Sequence, residues 1–160
     1  MEKPKINPDE AIADFKILEN STDEKFLIAE DANGLQLHLN EDGQPLYEHR
    51  FDQVGRFVGD LAPVWLHDSA HGGRNSENVA FHITKTGEPA YSERYDSVST
   101  YSEDRARVTK DSVYFYINTE GLRVGTQSYL DAEDYDGGIA RATLPDGMEI
   151  QIDLEGNQVS

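Results

Sequence analysis

The side chains that could do chemistry are few in kind. There is no cysteine, which removes thiol nucleophiles, disulfides and zinc-thiolate sites. His67 and His71 stand four residues apart with Asp68 beside the first, a set that could ligate a metal. They fall in a polar, glycine-rich stretch that supplies nothing to fix ligand geometry, so a solvated loop is the expectation there. His38 and His82 recur at equivalent places and are read as structural surface residues. Asp131, Glu133, Asp134 and Asp136 crowd around Tyr135, as calcium ligands do. The alternating Asp spacing of a calcium loop is missing, and an acidic turn is expected. No Gly-x-Ser-x-Gly elbow, phosphate loop or dinucleotide fingerprint occurs. With 31 acidic residues, carboxylate pairs arise by chance, so a glycosidase reading has no support without geometry. The expectation is a protein without catalytic residues, cofactor or metal.

The other chemistry available is recognition. Alternation along the strands defined below puts Leu61, Pro63 and Trp65 on one face of a first unit. Arg105, Arg107 and Thr109 take those slots in a second unit, and Ile139, Arg141 and Thr143 in a third. The adjoining strands add Ala80 and His82, Tyr114 and Tyr116, then Glu149 and Gln151. Tyr, Trp and Arg dominate binding hot spots. Trp65, Arg107, Tyr114 and Tyr116 are therefore the candidate partner-binding residues. Two intramolecular readings compete: Arg stems lying over Tyr rings, or Ile12 and Phe15 docking on Leu61 and Trp65.

These side chains sit on a repeat. Four turns have the form polar-x-x-Gly, ending at Gly43, Gly87, Gly121 and Gly156. Four, six and eight residues before each glycine stand apolar side chains: Leu39, Leu37 and Leu35; Ile83, Phe81 and Val79; Ile117, Phe115 and Val113; Ile152, Ile150 and Met148. A spacing of two marks one face of a β-strand. Eight residues after the first three glycines come Phe51, Tyr95 and Tyr129. Fourteen after come Phe57, Tyr101 and Tyr135, and then Ala62 with Val64, Ala106 with Val108, and Ala140 with Ala142. Each unit reads strand, glycine turn, strand, aromatic-anchored bend, strand. Lys110-Asp111 and Pro145-Asp146-Gly147 suit tight turns between units. Residues 67–78 lengthen the first junction into an exposed loop expected to be mobile.

The fold class is thus all-β: tandem three-stranded antiparallel units at about 35–66, 79–109, 113–143 and 148–160, within a repeat domain of 26–160. Residues 1–25 fall outside the repeat and are read as a capping segment. Asn7-Pro8-Asp9-Glu10 resembles a helix start, and Ile12, Phe15 and Leu18 follow at helical spacing. A short N-terminal helix is predicted, against a strand through Phe15 and Ile17.

The pattern resembles the WG-repeat family of bacterial proteins. Ile83-Thr84-Lys85-Thr86-Gly87 with Tyr95-Asp96, Tyr101 and Ala106-x-Val108 matches that family's unit. So does Leu39 to Gly43 with Phe51-Asp52, Phe57, Gly59 and Ala62-x-Val64. The third copy has Leu130 in place of the Asp, and no copy keeps the Trp-Gly pair, where Ala80-Phe81 and Tyr114-Phe115 stand. The resemblance covers about residues 35–160. It implies a repeat-built β protein with an interaction role and no catalytic residues.

Composition sets the partners. Fourteen basic against 31 acidic residues leave a net charge of −17, which opposes broad binding to DNA, RNA or anionic lipid. No apolar run reaches the length of a membrane helix, and the N-terminus lacks a signal-peptide core. The expectation is a cytoplasmic, monomeric, non-enzymatic module that binds another protein. The alternative is a small acidic inhibitor, an immunity protein or nucleic-acid mimic, that captures a basic target.

Overall fold

A computed structural model describes residues 15–20, 26–67 and 78–160. Among the described residues, thirteen strands form four antiparallel sheets. The first holds β1 (Lys16–Asn20), β2 (Leu27–Glu30) and β3 (Gln36–Leu39). The second holds β4 (Gln53–Val54), β5 (Ala62–His67) and β6 (Asn78–Ile83). The third runs β7 (Ser97–Val98), β8 (Arg105–Lys110), β9 (Val113–Asn118) and β10 (Arg123–Tyr129). The last holds β11 (Asp131–Ala132), β12 (Ala140–Thr143) and β13 (Glu149–Ile152).

The repeat turns are near-identical. Gly43, Gly87, Gly121 and Gly156 have φ of 78°, 84°, 80° and 84°, a left-handed conformation that glycine adopts without strain. In each, the glycine N–H donates to the carbonyl of the polar residue three before it, at 2.9–3.0 Å. Between β8 and β9, Asp111 and Ser112 both have positive φ, as a two-residue hairpin turn requires. That turn is centred one residue later than the sequence suggested.

Three expectations are corrected. The repeat carries a fourth strand segment beyond the three expected: a two-residue strand, β4, β7 or β11, follows the aromatic bend and pairs with the strand after it, as in Val54↔Val64, Val98↔Val108 and Ala132↔Ala142. After the glycine turn the chain runs back along its own sheet, through bridges Leu39↔Pro45 and Gln36↔Phe51, then Ile83↔Pro89 and Ala80↔Tyr95. In the third unit the same residues form β10, with Arg123↔Ile117 and Tyr129↔Tyr114. The segment bulges between its two anchor points, so its sequence shows no alternation. Among the described residues no N-terminal helix is found: Lys16–Asn20 is a strand paired with β2, as the strand through Ile17 would have it. Residues 1–14 lie outside the described residues, as does 68–77, so Asn7–Glu10, Ile12, Asp68, His71 and the mobile-loop expectation are not addressed. Finally, His38 and His82 are 1% and 0% exposed, not surface residues.

Burial explains that last correction. Ala62, Val64, Ala80, Phe81, Ile83, Pro63 and His82 are all buried, so both faces of β5 and β6 are covered. A sheet with one wet face would alternate; a sheet packed between two neighbouring sheets does not. Apolar burial is nearly continuous from Ile28 to Ile117, and a second cluster joins Tyr116, Tyr129 and Tyr135 to Ile150 and Ile152. Phe81 is buried and Phe115 half-buried, at equivalent places. Met148, the last of the twelve repeat positions, is 55% exposed.

Candidate functional site

Each sheet joins the last strand of one sequence repeat to the first strand of the next, so the four sheets are the structural units from here on, and the joint between successive units is built by one rule. The residue five before each glycine, His38, His82 or Tyr116, points out of its own sheet toward the next. His38 Nε2 lies 2.7 Å from the Gly55 carbonyl and His82 Nε2 2.7 Å from that of Ser99. A carbonyl only accepts, so each Nε2 carries the proton and each Nδ1 accepts. The Nδ1 donors are Tyr47 Oη at 2.6 Å and Tyr91 Oη at 2.5 Å. Burial lowers both imidazole pKa values to about 4, and the carbonyl bond offsets only part of it. The same burial raises the Tyr47 and Tyr91 hydroxyls above their usual range. In the third unit Tyr116 stands in the histidine's place, and its hydroxyl donates to the Glu133 carbonyl.

An aromatic ring from the next unit closes each joint. Phe57 packs on His38 and Tyr101 on His82, both at 4.5 Å between ring centres, and Tyr135 on Tyr116 at 4.9 Å. The turn glycine of the following unit lies flat against the preceding unit's tyrosine. A Cβ on Gly87 would stand 2.7 Å from the Tyr47 ring, and one on Gly121 2.5 Å from Tyr91 Cβ. In the third unit glycine replaces that tyrosine, and Gly156 approaches Gly125 backbone to backbone. The larger Tyr116 is thus matched by the smaller Gly125.

The candidate residues do not form one patch. Tyr116 is 1% exposed and belongs to a joint, so it cannot be a contact residue. Arg107 lies opposite Tyr116 on β8, and its Nη1 donates to the Ala132 carbonyl at 3.0 Å and approaches Asp134 at 3.4 Å. It ties the third unit to the fourth. Tyr114 is half-buried against the second cluster, while half-buried Trp65 sits in another sheet, packed on the first. The acidic group around Tyr135 is dispersed: Asp134 meets Arg107, and Glu133 lends only its carbonyl. Among the described residues no group of three His, Asp or Glu could hold a metal ion.

One face carries a cleft, bordered by Ser160, whose hydroxyl donates to Gln151 Oε1 at 3.0 Å. On the outward side of β11–β13, Glu133, Arg141, Glu149 and Gln151 occupy the positions of Ser99, Arg107, Tyr114 and Tyr116 in the unit before. There they border a cleft of about 330 Å³ together with Asp131 and Thr143. Alternation along the strands had put Arg141, Glu149 and Gln151 on this face. It could not show which copies of the face are covered.

Residues 39–64 and 83–114 match the family model of the WG containing repeat. The third and fourth glycine turns fall outside these stretches. No curated protein matches the chain. Among solved structures, it is similar to BamB from Moraxella catarrhalis, with a TM-score of 0.50 at 16% identity over 91% of this chain and 50% of that one. It is similar to KlHsv2 with loop 6CD replaced by a Gly-Ser linker, with a TM-score of 0.50 at 10% identity over 91% and 50%. The WD40 beta propeller domain of Doa1 gives a TM-score of 0.44 at 12% identity over 87% and 51%. The chain spans about half the length of these structures. At such identities the likeness shows the fold alone, which is that of β-propeller blades.

Proposed function

We propose that this chain of WG-like repeats is a non-enzymatic protein-interaction module whose contact surface is the outward, cleft-bearing face of β11–β13. The observation that supports it is the fate of one set of positions. In three units the residue five before the glycine is buried against the next unit; in the fourth, Gln151 borders a cleft with its Oε1 accepting from Ser160 Oγ. The side chains best suited to proton chemistry, His38 and His82, are committed to holding the sheets together. An exposed face bearing Arg141, Gln151 and unfilled space suits recognition.

The test is partner capture by the full chain and by Arg141→Glu. Capture that disappears in the variant, with an unchanged melting temperature, supports the reading. Capture insensitive to Arg141 but lost with Trp65→Ala would move the site to the second sheet. The acidic-inhibitor reading draws on the net charge of −17 and on Asp131, Glu133 and Glu149 around the cleft. It requires capture of a basic enzyme that weakens steeply with salt and inhibits that enzyme.

A further inference from the structure

The segments that follow the glycine turn have the same place in the first three units but not the same outer edge. In the first two units that edge is closed to further pairing. The segment opens on Pro45 or Pro89, which has no N–H to offer. Its bulge carbonyls are occupied by Arg50 or Arg94, each guanidinium donating to three in succession. It also carries charge: Glu48, Arg50 and Asp52 over 46–52, then Glu93, Arg94 and Asp96 over 90–96. Proline and charge on an edge block its pairing with another chain.

Each of these devices is missing from β10. Arg123 stands where the prolines stand, Ser128 where the arginines stand and Leu130 where the aspartates stand. Residues 124–130 carry no charge, in a chain that is 28% charged. Arg123 lies 4.3 Å over the Phe115 ring, as Arg94 lies over Phe81, but its Nη2 donates to Ser128 Oγ at 2.6 Å and not to a bulge carbonyl. β9 pairs with β10 on one side, and among the described residues no strand pairs with it on the other. The ladder to β9 holds at Arg123, Val124 and Tyr129 and skips the bulge between them, so it does not use the backbone of residues 125–128. Gly125, Thr126 and Gln127 are exposed. Leu122 and Leu130, 58% and 50% exposed, flank the strand, each four residues from Thr126.

The symmetry of the two leucines identifies the occupant. A twofold axis at Thr126 lays β10 antiparallel on its own copy, with Leu122 of each chain against Leu130 of the other and Arg123 against Tyr129. The edge is self-complementary, as a twofold contact requires. We propose that β10 is a self-association edge through which two copies of this chain pair about Thr126. The unclaimed backbone groups of the bulge supply hydrogen bonds across the seam, and the leucines close its ends. One paired edge is a small contact, so the dimer is weak and concentration-dependent. The net charge of −17 on each copy opposes it, and salt screens that repulsion. The edge shares no residue with the cleft of the fourth unit, so this proposal stands apart from the interaction reading above and replaces the monomeric expectation.

The test is sedimentation equilibrium of the full chain from about 10 µM to 1 mM, at low and high salt. A monomer–dimer equilibrium that tightens as salt rises is expected. Leu130→Asp and Ser128→Arg put back the residues of the first two units, so each should keep the fold while weakening the dimer about tenfold or more. The chain has no cysteine, so a single introduced one reports proximity cleanly. Under mild oxidation Thr126→Cys should form an intermolecular disulfide about tenfold faster than Thr86→Cys, which is also exposed but on a repeat turn. Should either restoring variant fold poorly, the cross-linking comparison decides. A chain that stays monomeric throughout, a dimer indifferent to either variant, or equal cross-linking rates overturns the proposal. So does a dimer that dissociates as salt rises, which would rest on ionic contacts elsewhere.

Discussion

His38 and His82 are titratable groups used as neutral rods between sheets. Each is locked in one tautomer by a carbonyl at Nε2 and a tyrosine hydroxyl at Nδ1. Their folded pKa of about 4 lies below the unfolded value of 6.5. Above pH 6.5 both states are neutral and the joints keep their full stability. As pH falls from 6.5 toward 4 the unfolded chain takes up protons that the folded chain refuses, and stability is lost. The shift corresponds to roughly 3 kcal/mol per histidine at the low end of that window. Thermal unfolding followed from pH 7.5 to 4.5 should show the decline. Paired His82→Tyr and Tyr91→Gly, which copies the Tyr116–Gly125 solution of the third unit, should remove about half of it. An unaltered pH profile in that double variant would mean that the carboxylates, not the imidazoles, set the dependence. The pairs were visible in the sequence as a His nine residues before a Tyr, twice. Their burial was not, because strand alternation was read as one dry face and one wet face. Stacked sheets have two dry faces.

At the scale of elements, the turns were the most legible feature and the bulged course of the strand after each turn the least. A glycine with positive φ leaves a signature that needs no tertiary context, whereas the segment after it bulges and is held by contacts distant in sequence. Arg50 and Arg94 show the device: each guanidinium donates to three successive carbonyls of the bulge, from Tyr47 to His49 and from Tyr91 to Glu93. The repeat glycines carry two constraints at once. Gly87→Ala would force a Cβ into φ +84° and within 2.7 Å of the Tyr47 ring and His49. It should cost about 2–4 kcal/mol in denaturant unfolding. Gly147→Ala meets the same backbone strain at φ +90° but open space, and should cost about 1 kcal/mol. Equal losses would show that close packing against Tyr47 contributes nothing. Phe81 is the matching apolar element. It lies buried against Phe51 at 6.2 Å with Arg94 over its face at 4.0 Å, so Phe81→Ala should cost on the order of 3–5 kcal/mol.

At the scale of the molecule, the four units are coupled only through their joints, so stability should vary along the chain as it does in repeat proteins. The second and third units are covered on both faces. The fourth is covered on the side of Ile150 and Ile152 by Tyr116 and Tyr129, while Arg141 and Glu149 face outward and exposed. Opening the fourth unit breaks one joint: the Tyr116–Glu133 and Arg107–Ala132 hydrogen bonds, the Tyr135 stack and the Arg107–Asp134 pair. Opening the second or third breaks two. Local opening energies set amide exchange rates, so the amides of β12 and β13 should exchange faster than those of β6 and β9 under native conditions. Arg107→Ala removes two ties of that joint without emptying a core, and should accelerate exchange in β12 and β13 while leaving β6 unchanged. Uniform exchange across all four units, or equal acceleration everywhere in Arg107→Ala, would mean that the chain opens as one cooperative body. A ligand seated on the outward face would add a second joint to the fourth unit. It should raise protection in β12 and β13 toward that of β9, a response that binding elsewhere on the molecule would not produce.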